Sequence, residues 1–122
     1  MSYLGDMSSD LCQLAVTVNN LTATVTGPAL DMVTGDGRCN LVFGCAAGNF
    51  SYAVANVFQS AASTGTYTAI TAATAACTTA GITAPVVFNR DYRWLQVRHD
   101  FAGTGVTGVQ SLVIEMKKNA NG

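Results

Sequence analysis

Asn-Arg-Asp-Tyr-Arg-Trp-Leu-Gln-Val-Arg-His-Asp, residues 89–100, is the stretch on which the reading of this chain turns. It holds three of the four arginines, the only tryptophan and the only histidine. From Tyr92 to His99 two sets of side chains alternate. Tyr92, Trp94, Gln96 and Arg98 share one side, and Arg93, Leu95, Val97 and His99 share the other. A period of two belongs to a β-strand whose faces are used differently. Leu95 and Val97 suit a core. Tyr92, Trp94 and Arg98 are of the types that concentrate where one protein grips another. The stretch predicts a scaffold strand with one face packed inward and one face on display.

The segments around it read as further strands. Thr alternates with Leu, Ala and Val over residues 21–26, and Gly27-Pro28 breaks the run. A short strand over residues 29–33 leads to Gly35-Asp36-Gly37, which predicts a hairpin turn. Residues 38–47 then place Cys39, Leu41, Phe43 and Cys45 on one face. Gly48-Asn49 predicts a reversal. Residues 52–60 are apolar on both sides, as a central or covered strand is. A turn over residues 61–65 precedes a strand over residues 66–71 that carries Tyr67 and Ile70. Residues 71–83, mostly Thr and Ala, predict a loop with a short strand at 75–79. Pro85 opens a strand over residues 84–88, a position that suits an edge. Gly103, Gly105 and Gly108 predict a loop. The last strand, residues 109–117, is read with Leu112, Ile114 and Met116 inward and Glu115 on its polar face. Eight or nine strands with regular turn signals predict an all-β chain, an antiparallel β-sandwich or jelly roll.

The N-terminus differs. Residues 1–20 are read as an arm ahead of a β-sandwich domain over 21–118, with a flexible tail at 119–122. Leu11, Leu14, Ala15 and Val18 have helical spacing, and an extended arm is the alternative. Tyr3, Leu4 and Met7 would dock on a neighbouring surface, because so many large apolar side chains at a terminus need cover.

Composition bounds the function. Charged residues make up 11% of the 122, where an average soluble domain has about 25%. The net charge is −1, small for a monomer that must stay apart from its copies. Much of the surface is therefore expected to be covered by other protein. Six basic residues against seven acidic ones argue against nucleic acid, which needs a basic surplus on one face. No run approaches the ~18 apolar residues of a membrane span, so no membrane partner is expected. With no secretory signal visible, the expected site of synthesis is a cytoplasm.

Reactive groups are sparse. Cys12, Cys39, Cys45 and Cys77 match no zinc spacing. They read as buried thiols, with a bridge from Cys12 or Cys77 to another strand left open. His99 and Asp100 point to opposite faces of a strand and cannot pair simply. Asp31 and Asp36 flank a glycine turn without the calcium-loop pattern. No cofactor, metal site or catalytic residue is expected, and the chain reads as a non-enzyme. The row Tyr92, Trp94, Gln96 and Arg98 has three readings: a contact with another subunit, a stacking platform for sugar rings, or core covered by a loop of its own chain.

The order of elements then carries a resemblance. Leu30-Asp31-Met32, Gly35-Asp36-Gly37, Phe58-Gln59-Ser60 leading to Gly65-Thr66-Tyr67-Thr68-Ala69-Ile70, the run from Arg90 to Arg98 and the closing Lys117-Lys118 resemble the small β-sandwich capsid cement, or head decoration, proteins of tailed bacteriophages. The likeness spans residues 29–118. Ser63-Thr64-Gly65 stands where that family has an Asp-Asp-Gly turn, and Tyr67 where a Trp is common. The resemblance implies a virion protein without an active site, on the capsid exterior. It would bind the major capsid protein and self-associate as a homotrimer, with a homodimer the second choice. The expected contact residues are Tyr3, Leu4, Met7, Tyr92, Trp94 and Arg98. A neck or tail component, and a glycan-binding module, are the alternatives.

Overall fold

The computed structural model describes residues 11–32 and 35–117. All regular structure in them is β, in one antiparallel sheet of nine strands folded over into two layers. The strands are β1 (Leu11–Leu21), β2 (Val25–Thr26), β3 (Leu30–Asp31), β4 (Gly35–Cys45), β5 (Ala47–Ser60), β6 (Thr68–Cys77), β7 (Gly81–Ile82), β8 (Val86–Asn89) and β9 (Trp94–Lys117).

Strand β9 explains the topology. It runs for 24 residues and is paired along both edges. On one edge β1, β2 and β3 follow one another, from Leu11 opposite Met116 to Asp31 opposite Trp94. On the other, β4 and β5 do the same, from Gly35 opposite Lys117 to Ser60 opposite Trp94. The ladder passes from β4 to β5 through Ala46, whose N–H donates to the Thr107 carbonyl at 2.9 Å. β6, β7 and β8 pair in turn with β5 and β4. Long ribbons joined in this order and bent across the middle make a jelly roll. One layer is β6-β5 with the first half of β9 and β2–β3; the other is β8/β7-β4 with the second half of β9 and β1.

The bend corrects three expectations. Gly103 and Gly108 do not form a loop: β9 continues through them with φ of 143° and 61°. Gly48-Asn49 does not reverse the chain, because β5 continues along the same edge of β9 past register shifts at Asn49–Phe50 and Phe50–Tyr52. Bulges and glycines let a strand fold over while keeping its pairing. A Cβ at Gly103 would lie 2.3 Å from the Asn49 carbonyl oxygen, so the close approach of β5 and β9 at the bend requires glycine. Gly35-Asp36-Gly37 is not a hairpin turn either, since β3 and β4 lie on opposite edges of β9.

The predicted arm divides. Residues 11–20 form most of β1, not a helix, in keeping with β-branched Val16, Thr17 and Val18 and the open edge of β9. Residues 1–10, with Tyr3, Leu4 and Met7, lie outside the described residues, as does the tail from residue 118. The Thr/Ala run is strand well before residue 75: β6 buries Ile70, Ala73, Ala75 and Cys77 on one face.

The core lies between the layers. Ala53, Ala55 and Val57 of β5 and Leu95 and Val97 of β9 face Leu41 and Phe43 of β4 and Val109 and Val113 of β9, all fully buried. The last half of β9 has the parity opposite to that expected. Val109, Ser111, Val113 and Glu115 point inward, and Leu112 and Ile114 are half-buried on the outer face. The buried polar members are tolerated because each has a partner. Ser111 Oγ lies 2.8 Å from His99 Nε2, and Glu115 receives Arg90.

Candidate interaction surface

The displayed face of the first layer is built by the alternation of β5 and β9. Leu95, Val97 and His99 are buried, which sends Trp94, Gln96 and Arg98 to the outside, where each is half-buried. Asn56 and Phe58 of β5 stand beside them on the same face, in register opposite Arg98 and Gln96. The Arg98 guanidinium lies 4.1 Å from the centre of the Phe58 ring, a cation–π contact that holds it against the neighbouring strand. Arg93 lies 5.5 Å from the centre of the Trp94 ring. It also forms a bidentate pair with Asp31, Nε to Oδ1 at 2.7 Å and Nη2 to Oδ2 at 2.6 Å. The surface carries two aromatic rings, each with a guanidinium over it, and amides between. Such a face offers large contact area at little cost in side-chain ordering.

The structure places the sequence candidates differently. Trp94 and Arg98 share the row as expected. Tyr92 precedes β9, in the bend that follows β8, and is 48% exposed. It borders a groove with Gln59, Ser60, Gly65 and Thr68 at the end of the sandwich. Gln59 Oε1 fixes that bend by accepting from the N–H groups of Asp91 at 2.8 Å and Tyr92 at 3.3 Å. Arg93 does not face the core with Leu95: it is exposed and held by Asp31. Tyr3, Leu4 and Met7 lie outside the described residues.

His99 is fully buried, stacked on Phe43 with ring centres 5.8 Å apart. Burial pushes its pKa down to about 4, so the ring is neutral near pH 7. Its Nδ1 has no hydrogen-bond partner among the described residues. A His–Ser pair thus exists, but it is buried, and among the described residues no carboxylate bonds the ring to orient it.

Two features were not read from the sequence. The first is a buried polar junction. Glu115, 1% exposed, accepts from Arg90 Nε at 2.7 Å and Nη2 at 2.8 Å, and from the Gly37 N–H at 2.6 Å. The Cys39 thiol points at it from 3.3 Å, and Arg90 also donates to the Met32 and Tyr92 carbonyls. The junction ties the start of β4 to the segment leading into β9, and so fixes where the displayed row begins. The second is the outer face of the other layer. Val42, Leu112 and Ile114 are half-buried there, with Ile82 and Val87 exposed. An open groove of about 660 Å³ runs past Thr17, Val42, Ile82 and Leu112. The signal was present in strands apolar at both parities.

No protein-family model matches the chain, and comparison with curated proteins finds no match. Solved structures do share its fold. A subunit from "Bacillus endospore appendages form a novel family of disulfide-linked pili" superposes with a TM-score of 0.54 at 17% identity, over 89% of this chain and 88% of that one. The PBSX exported protein XepA superposes with a TM-score of 0.62 at 9% identity, over 87% of this chain. This chain spans 38% of XepA's length. At these identities the likeness establishes the β-sandwich fold.

Proposed function

We propose that this chain is a structural protein of a phage particle, a head decoration or cement protein on the outer capsid surface. Its partner is the major capsid protein, at the joints between subunits, and it self-associates, as a homotrimer before a homodimer. The observation that carries the reading is the displayed face of the first layer. Trp94 and Arg98, with Phe58 beneath, lie on a rigid jelly roll whose 11% charged residues leave little to keep copies apart. A rigid sandwich loses little entropy on docking, and weak contacts repeated over a closed shell add through multivalency. Residues 1–10 would lie along a capsid subunit through Tyr3, Leu4 and Met7. The reading assigns no reaction, cofactor, nucleic acid or membrane to the chain. The particle would be assembled in the host cytoplasm.

The end-to-end match to the appendage pilus subunit favours a second reading, a subunit of a filament or another virion part such as a neck or tail component. A glycan-binding module, stacking sugars on Trp94, is a third. Mixing the purified chain with undecorated phage heads separates them. Saturable binding to heads supports the cement role, and filaments formed by the chain alone support the second reading. A monomer that ignores heads but binds a glycan array through Trp94 supports the third.

A further inference from the structure

The two layers meet not only through apolar packing but through a pair of thiols. Cys45 ends β4 in one layer and Cys77 ends β6 in the other. Both face inward, at 7% and 8% exposure. They converge on the corner between β6 and β7. The Cys45 thiol lies 4.0 Å from the Thr79 carbonyl oxygen, and the Cys77 thiol 3.8 Å from that of Gly81. Gly81 is itself the backbone partner of Cys45. Both thiols therefore point at the same short turn, which brings the two side chains to one corner of the sandwich.

We propose that Cys45 and Cys77 are a redox pair that closes into an intrachain disulfide and staples the two layers of the sandwich together. The oxidant is a low-molecular-weight disulfide. One protein thiolate attacks it, forms a mixed disulfide and expels the first small thiolate. The second protein thiolate then attacks the protein sulfur of the mixed disulfide and expels the other. Each protein thiol gives its proton to water, the two electrons leave on the small molecule as two thiols, and one S–S bond is gained for the one lost. Cys45 lines the open groove beside Ile82, which gives a small oxidant its approach. Burial, and then the neighbouring Cys45, hold the Cys77 thiol above its ordinary range, so exchange is slow near pH 7 and quickens as the pH rises. Cys39, held against Glu115 at the other end of β4, takes no part. The chemistry is independent of the role proposed above. If that role holds, the thiols stay reduced in the cytoplasm and the staple closes after release of the particle.

The test treats the folded chain with oxidised glutathione at pH 8.5, then blocks remaining thiols and maps peptides by mass spectrometry. The expected product is a monomer two hydrogens lighter with a Cys45–Cys77 cross-link. Its Tm should rise by about 10 °C, as a bridge closing a loop of this size gives, and fall back on reduction. Cys39→Ala should keep the cross-link and the shift; Cys45→Ala and Cys77→Ala should each lose both. The proposal is overturned by a native chain that keeps both thiols. A bridge that involves Cys12 or joins two chains, or a Cys45–Cys77 bridge that leaves Tm unchanged, overturns it equally.

Discussion

The Arg90 guanidinium meets the Glu115 carboxylate at 2.7 Å inside the sandwich, with the carboxylate fully enclosed and the guanidinium nearly so. A charge enclosed to this degree is tolerable only while its partner stays. Arg90→Ala leaves Glu115 buried and uncompensated, and is expected to destabilise the fold by about 3–5 kcal/mol. The double variant Arg90→Met/Glu115→Leu should cost much less, because two apolar groups replace a satisfied pair. Urea unfolding of the three chains reads both values.

The glycines at the bends are separable in their effects. Gly103 has φ of 143° and backbone directly in the path of a Cβ, whereas a Cβ at Gly81, where φ is 146°, would meet no atom of the described residues within 4 Å. Gly81→Ala should lose about 1–2 kcal/mol from backbone strain alone. Gly103→Ala adds a clash that β5 cannot relieve without breaking the ladder, and should cost more than about 3 kcal/mol or abolish folding. Thermal melts of the two variants distinguish strain from contact.

Acid stability depends on His99. Its pKa is about 4 in the fold and near 6.5 when exposed. Between these values the unfolded chain holds a proton that the native chain lacks, so stability falls as the pH drops from 6.5 to 4. Below 4 both states are protonated and this contribution levels off. The loss over the window is roughly 3 kcal/mol. His99→Gln cannot titrate, and its stability should be flatter across the same window. Denaturant titrations of both chains at several pH values give the difference, which removes the shared titration of the carboxylates.

What the sequence revealed and what it concealed have physical reasons. Alternation over residues 92–99 identified the core side of β9 because Leu95 and Val97 are the only aliphatic side chains in that run and share one parity. The same rule misplaced the far end of β9. There Leu112, Ile114 and Met116 outweigh Val109, Ser111, Val113 and Glu115 in hydrophobicity, yet the second set is inside. Its polar members are satisfied by His99 and Arg90, and no local pattern shows a partner 12 or 25 residues away. Glycines at 48, 103 and 108 looked like loop ends because a strand bending over without breaking its ladder needs the same residue as a turn. The displayed Trp94 and Arg98 were legible from strand parity. The Phe58 ring under Arg98 was not, since it depends on the register of β5 against β9.

The displayed row should matter for contact and little for stability. Arg98→Ala removes a cation–π contact at a half-exposed site and should cost no more than about 1 kcal/mol of stability. Circular dichroism and a thermal melt should show a folded chain. Its self-association, followed by light scattering over a concentration series, should weaken if the row lies at a contact between copies.

Co-sedimentation of the chain with undecorated phage heads bears most directly on the assembly role. The intact chain should pellet with heads and saturate. Trp94→Ala/Arg98→Ala, still folded, should bind at least tenfold more weakly. A wild-type chain that stays in the supernatant as a monomer, or a double variant that binds as tightly as the wild type, would contradict it.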